Sequence, residues 1–403
     1  MPIGKRIALM AVATLVAGFC LAGQVAAAEG TFPLTVSETA GIRRRNDVIT
    51  LRSTSKEVLA HTGGYRVVKD GEPVPAQFQR VEWPGEPPVL VADFIGHFQP
   101  LETQTYALEL TDTPTANEPT SGLTLKDEPD AWHIDSSGLV FWTIRKDLDG
   151  LLDFSWKETD YIADDSRGLF FTSDDGRTHK LSERLPVRAA VERSGPLAIS
   201  LRFDYENWPA GADGHVRLEF VRTKSWIKGE WIIEGKPSGA REIGAELNLR
   251  LDGPEALIDF GAGDFVYATV TGQQSARLEA GPRDGDSVPW RVLHGAADAL
   301  EAIVVSPRHV PTPEVHGWAH VMDDTRATAL AVDAFGEGGS DEIRVFGDGR
   351  LSWARDLRTD AGPDRAQRQL RFWLHFVTMP VHIGARTSPR SMQEPLQVQW
   401  IEN

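Results

Sequence analysis

The sequence predicts an all-β protein, with a small N-terminal β-barrel or sandwich followed by a large antiparallel β-supersandwich. Short runs of alternating polar and apolar residues recur between turn residues along nearly the whole chain, the period of half-buried strands. No long window sustains the 3.6-residue period of an amphipathic helix, so helix content is expected to be low. Between the two β regions, residues 111–121 read TDTPTANEPTS. That composition without periodicity marks a linker.

The first residues are read as a leader rather than part of the fold. Lys5 and Arg6 precede an apolar run from Ile7 to Ala22, and Ala26-Ala27-Ala28 supplies a small-residue cleavage site, so residues 1–28 are expected to be a signal peptide cut after Ala28. The single cysteine, Cys20, falls inside that run. The mature chain would be exported, periplasmic or secreted, and free of disulfides. No later apolar run is long enough for a membrane span. The formal charge of −16 repels nucleic acid, although a local cationic groove can still sit on an acidic body. Twelve Trp against five Tyr suit sugar stacking as well as core packing.

Taken in order, the expected N-terminal domain (29–115) contains Val48–Leu51, Tyr65–Val68 with a hairpin turn at Lys69-Asp70-Gly71-Glu72, Ala76–Val81, Val89–Phe94 and Gln104–Leu110. Arg43-Arg44-Arg45 reads either as a solvated basic turn or as a carboxylate contact. In the second domain (116–403) the strands lengthen: Leu139–Ile144, Leu151–Trp156, Val187–Glu192, Ile199–Tyr205, Val216–Arg222, Trp226–Glu234 and Ala245–Leu251. Ala245, Leu247, Leu249 and Leu251 alternate with Glu246, Asn248 and Arg250, one face apolar and the other polar. Val266–Val270 follows, and Leu300–Val305 is read as a buried strand.

The run from His316 to Pro380 stands out. It opens HGWAHVMDD, with His316, Trp318 and His320 at every second position. On an uninterrupted strand these three share a face. Either Trp318 packs and the imidazoles are solvated or hydrogen-bonded, or the three form a sugar-binding or catalytic face. With Asp323 and Asp324 the histidines offer donor types for a divalent cation, but their spacing suits a metal on a helix, not a strand. The reading adopted has no metal and no cofactor. There is no G-x-S-x-G, H-E-x-x-H or P-loop. Glu219, Glu230, Glu234 and Glu246 are strand acids whose plain role is the solvent face of a sheet. A β-elimination needs a cation or amide for a uronate carboxylate, a base and a proton donor. By type, the catalytic candidates are His316, His320 and Tyr161, and the substrate-binding candidates are Trp318, Arg167, Arg202, Glu230 and Arg250.

Thr39-Ala40-Gly41-Ile42-Arg43-Arg44 and the strand from Asp47 resemble the entry of a RIFT-type barrel. Trp132 to Phe141 (WHIDSSGLVF), Glu192 to Leu197 (ERSGPL) and the block from Thr328 to Leu351 resemble a galactose-mutarotase-type β-supersandwich. That order of domains is similar to secreted exo-rhamnogalacturonan lyases. The resemblance implies two β domains, a polysaccharide or oligosaccharide ligand, and lyase chemistry on an acidic, uronate- or rhamnose-containing glycan. It assigns no individual catalytic residue. A non-catalytic carbohydrate-binding protein and a structural or assembly protein of the cell envelope stay open beside it.

Overall fold

In the computed structural model the described residues are 30–113, 122–208, 211–222, 224–234, 239–263, 266–281, 289–296, 298–305, 315–337, 340–357, 367–379 and 387–401. The expected signal peptide and most of the expected linker lie outside them. The described residues form five antiparallel sheets and two short helices, α1 (Lys56–Ala60) and α2 (Thr387–Gln393). No described helix is long and apolar enough to cross a membrane.

The N-terminal part packs a five-stranded sheet against a three-stranded one made of Arg44–Ser53, Val89–Phe98 and Ala76–Val81. Leu34, Val36, Ile49, Leu51, Phe94, Tyr106 and Leu108 fill the space between them. One edge of the five-stranded sheet is the strand Gln397–Trp400, which pairs with Thr31–Ser37. Residues near the end of the chain, which the sequence groups with the later strands, therefore pair with the first strand.

The larger part is built on a nine-stranded sheet. Its order is Arg188–Ser194, Ala198–Tyr205, Asp213–Val221, Trp226–Glu234, Gln367–Thr378, Arg326–Val332, Val315–Met322, Glu255–Ala262 and Val266–Thr271. One face is continuous hydrocarbon, including Leu201, Phe203, Val216, Leu218, Phe220, Ile227, Trp231, Phe372 and Leu374. It is covered by an eight-stranded sheet and by the five strands between Leu123 and Asp160. Trp142 meets Phe220 edge-on, and Phe154 stacks on Phe376 at 4.2 Å. Each such fully buried side chain contributes roughly 1.5–3 kcal/mol. The His316–Pro380 run joins both large sheets: Asp341–Phe346 and Arg350–Asp356 cross into the eight-stranded one.

Two expectations are corrected. The strand Ala299–Val305 is the edge of the eight-stranded sheet rather than a buried strand, and Ile303 is 46% exposed. With a neighbour on one side only, its apolar run is not enclosed. Also, His316 does not join Trp318 and His320 in the interior. Gly317 adopts φ +64°, and the pairing of Val315–Met322 with Glu255–Ala262 slips between Phe260 and Ala262. The two extra residues of this bulge lie outside the regular pairing, and His316 is exposed there while Trp318 and His320 are buried.

Candidate functional site

The second face of the nine-stranded sheet is polar. Strand parity and register put Trp226, Lys228 and Glu230 on it, opposite His375, Trp373 and Arg371 on one side. Glu219 and Arg217 pair with Lys228 and Glu230 on the other, and Arg202 pairs with Arg217. Ala329 and Ala331 continue the rows from His375 and Trp373 to His320 and Trp318, and His320 pairs with Asp259. Antiparallel sheets commonly bury one face and hydrate the other. Here much of the polar face lies beneath the N-terminal domain.

Contact between the two is itself polar. Thr50, Asp93 and Gln77 form one row of the three-stranded sheet. Asp93 is fully buried and accepts hydrogen bonds from Thr50 Oγ1 at 2.7 Å, Gln77 Nε2 at 2.9 Å and Arg193 Nη1 at 2.7 and 3.0 Å. Gln77 also donates to the Ala198 carbonyl. Trp83, from the loop after Ala76–Val81, donates to Asp204 and lies 4.7 Å from the Arg202 guanidinium.

Beside this contact is a cavity of about 330 Å³, within the range of small-ligand sites. The sheet supplies Glu219, Trp226, Lys228 and Trp373; Asp47, Thr50 and Arg52 supply a second wall; Met392 and Leu396, from α2 and the segment after it, supply a third. Asn46 adopts φ +52°, a left-handed conformation that Asn tolerates better than most residues. The accompanying register shift brings Arg44 and Asp47 inward on the same strand. Buried Arg44 then contacts Glu38 at 3.2 Å and donates to the Ser391 carbonyl at 2.7 Å. Within the basic triplet Arg44 thus makes a carboxylate contact, inside the molecule, and ties α2 to the N-terminal sheets, while Arg43 and Arg45 are exposed.

Electrostatically the cavity is cation-rich. Glu219 faces Lys228 at 3.1 Å, Arg193 at 3.2 Å and Arg52 at 3.5 Å. Burial raises its carboxyl pKa, but those three cations outweigh burial and hold it well below the carboxylate range. Asp47 is neutralised by Lys224 at 2.6 Å, and the Lys224 ammonium lies 4.9 Å from the Trp226 ring. Arg52 and Lys228 keep 45% and 35% of their side-chain surface exposed, so both can still meet a ligand. Next to Trp226, at 6.0 Å, is His375. Its pKa is lowered to about 4 by burial, and further by Lys224 and His320, leaving a neutral imidazole at ordinary pH.

No family model matches the sequence, and no curated protein does. Solved structures do share the fold. A glycosyl hydrolase family 38 protein from Enterococcus faecalis aligns with TM-score 0.57 and 11% identity, over 93% of this chain and 48% of that one. An α-mannosidase from Enterococcus faecalis V583 gives 0.56 and 12%, over 93% and 46%. The chain thus spans about half the length of either. A galactose mutarotase-related enzyme from Lactobacillus acidophilus gives 0.34 and 10%, over 61% and 97%, too slight a likeness to argue from.

Of the residues singled out by sequence, Trp318, His320, Arg202 and Glu230 lie on the polar face. None of them lines the cavity. Trp318 packs with Ala329, Ala331, Trp373 and Met392. His320 has Nδ1 3.7 Å from Asp259, and its buried Nε2 has no partner. Arg202 is bound to Asp204 and Glu86. Glu230 is held by Arg217, Gln369 and Arg371. The other four lie apart. Tyr161 is buried in the hydrocarbon core against Phe154 and Phe376, where burial raises its pKa. Arg167 pairs with Glu246 on the eight-stranded sheet. Arg250 pairs with Asp164, and His316 is exposed. Among the described residues no cluster of three or more His, Cys, Asp or Glu could hold a metal ion. The cavity residues missed by sequence, Trp226, Lys228 and Trp373, carry a weak signal: they sit in the runs Trp226-x-Lys228-x-Glu230 and Arg371-x-Trp373-x-His375, which alternate aromatic and ionisable side chains along one strand face.

Proposed function

We propose that the protein binds carbohydrate, taking an acidic sugar of a glycan into the cavity between the N-terminal domain and the nine-stranded sheet. The observation that carries this is the convergence of two part-exposed cations, Arg52 and Lys228, with the part-exposed Trp226 indole on one cavity. A uronate needs those partners: a guanidinium or ammonium for the carboxylate and a π face for the axial C–H bonds. The cavity volume suits about one sugar ring. The fold likeness to a family 38 glycosyl hydrolase and an α-mannosidase supports a carbohydrate setting, and the leader-like N-terminus supports export. Titration of the protein with galacturonate and with polygalacturonate tests the reading by calorimetry. Binding that weakens in Lys228→Ala is expected; no heat with either probe would overturn it.

A second reading, β-elimination on the same ligand, is favoured by His375. A neutral imidazole beside Trp226 has the protonation state of a base. In that reaction the base removes the proton α to the carboxylate, the C4–O bond breaks, and a C4=C5 double bond forms as the leaving oxygen takes up a proton. Incubation with uronate polysaccharides would then generate the absorbance of unsaturated products, and a flat trace across a broad panel leaves binding alone.

A further inference from the structure

The cavity has one apolar partition. Across the nine-stranded sheet, Ala331 lies between Trp318 and Trp373, and Ala329 between His320 and His375. Two alanines flanked by indoles and imidazoles leave a slot in the sheet surface. Met392 fills it: the side chain is 2% exposed and packs with Trp318, Ala329, Ala331 and Trp373, and it also lines the cavity. A thioether between indoles is a favourable and adaptable filling. Met392 is held there from both sides. Arg44 donates to the carbonyls of Ser391 and Glu394, and Gln393 Nε2 donates to the Val332 carbonyl at 2.8 Å. Behind it the slot holds groups with sugar-binding chemistry: the Trp318 indole, which Met392 covers, and the partnerless Nε2 of His320.

Resting on the carbohydrate reading above, we propose that Met392 sets the length of ligand the cavity accepts. With the thioether in place the site admits a single acidic sugar. Without it the cavity continues into the slot, and a hydroxyl-bearing edge of a neighbouring sugar can pack against Trp318 and donate a hydrogen bond to His320 Nε2.

The test is calorimetric titration of wild type, Met392→Ala and Met392→Leu with galacturonate and with (1→4)-linked digalacturonate. Wild type and Met392→Leu are expected to favour the monosaccharide. Met392→Ala is expected to shift the ratio of affinities toward the disaccharide by about tenfold, the scale of discrimination set by small changes in pocket size. If Met392→Ala does not fold, Met392→Val makes the same comparison with a smaller expected shift. Adding His320→Ala to the truncated variant should reverse much of the gain. An unchanged ratio in the truncated variant, or a wild type that already prefers the disaccharide, overturns the role of Met392 while leaving the binding site standing. A wild type that binds neither probe overturns the carbohydrate reading and this inference with it.

Discussion

Arg193 sets its Nη1 2.7 and 3.0 Å from the two carboxylate oxygens of Asp93, joining the nine-stranded sheet to the three-stranded sheet of the first domain. Both side chains are at most 3% exposed. A buried pair of this kind adds little over an apolar pair, yet losing one member strands the other charge in low dielectric. Asp93 also holds Thr50 and Gln77, so its carboxylate is the centre of the joint. Asp93→Ala is expected to destabilise the protein by about 3–5 kcal/mol, read from urea unfolding. Arg193→Ala should cost a similar amount and additionally remove one of the three cations around Glu219.

The cavity cations should behave differently. Arg52 and Lys228 are substantially exposed, so each contributes less to holding Glu219 than the buried Arg193 does. Replacing either with Ala is expected to lower the urea midpoint less than Arg193→Ala does and to weaken galacturonate binding about tenfold, the scale of one charge-assisted hydrogen bond. Raising the salt concentration should weaken wild-type binding more than that of either variant, because one of the screened charges is missing from the variants. Equal salt dependence in all three proteins would remove these side chains from the site.

How far the sequence could reveal this site depends on which contacts are local. Strands such as Trp226–Glu234 announce themselves because alternation depends only on neighbours along the chain. The apolar face was legible for the same reason. What covers the opposite face was not. Glu219 reads as a solvated strand acid, and only the arrival of Arg52, from a strand more than 160 residues earlier, makes it and Lys228 a cavity wall. Tyr161 shows that residue type says nothing of depth: its strand-end position drops it into the hydrocarbon between the sheets. His316 stays exposed because it lies in the bulge at Gly317, where the regular strand that would seat it beside Trp318 ends.

His375 gives a pH signature. Its folded pKa, lowered to about 4, lies below the unfolded value of about 6.5. The unfolded chain therefore binds the extra proton in that interval. The contribution from keeping His375 neutral is fully present above about pH 6.5 and is lost as pH falls toward 4, to the extent of about 3 kcal/mol. Thermal unfolding midpoints should drop across this window. In His375→Gln, which cannot take up the proton, the drop should be shallower, with the difference confined to the same interval. Parallel curves for the two proteins would mean that His375 is protonated alike in both states.

Gly317 is where backbone and site meet. Its φ of +64° disfavours any residue with a side chain, and a Cβ there would sit 2.1 Å from Phe335 Cβ, far inside contact distance. The strand must therefore move or the bulge must straighten. Straightening would absorb the two extra residues of the bulge, which keeps the faces but slides Trp318 and His320 past Asp259 and Ala331. Gly317→Ala is thus expected to cost more than the roughly 1 kcal/mol of a plain Gly-to-Ala mismatch at positive φ. It should also weaken galacturonate binding, because Trp373 loses its packing partner across Ala331. Ala319, two residues on and facing the core, offers the comparison: Ala319→Gly should lower stability through backbone entropy without altering binding. Unfolding curves and titrations of the two variants separate a general loss of the strand from a specific loss of the face it presents.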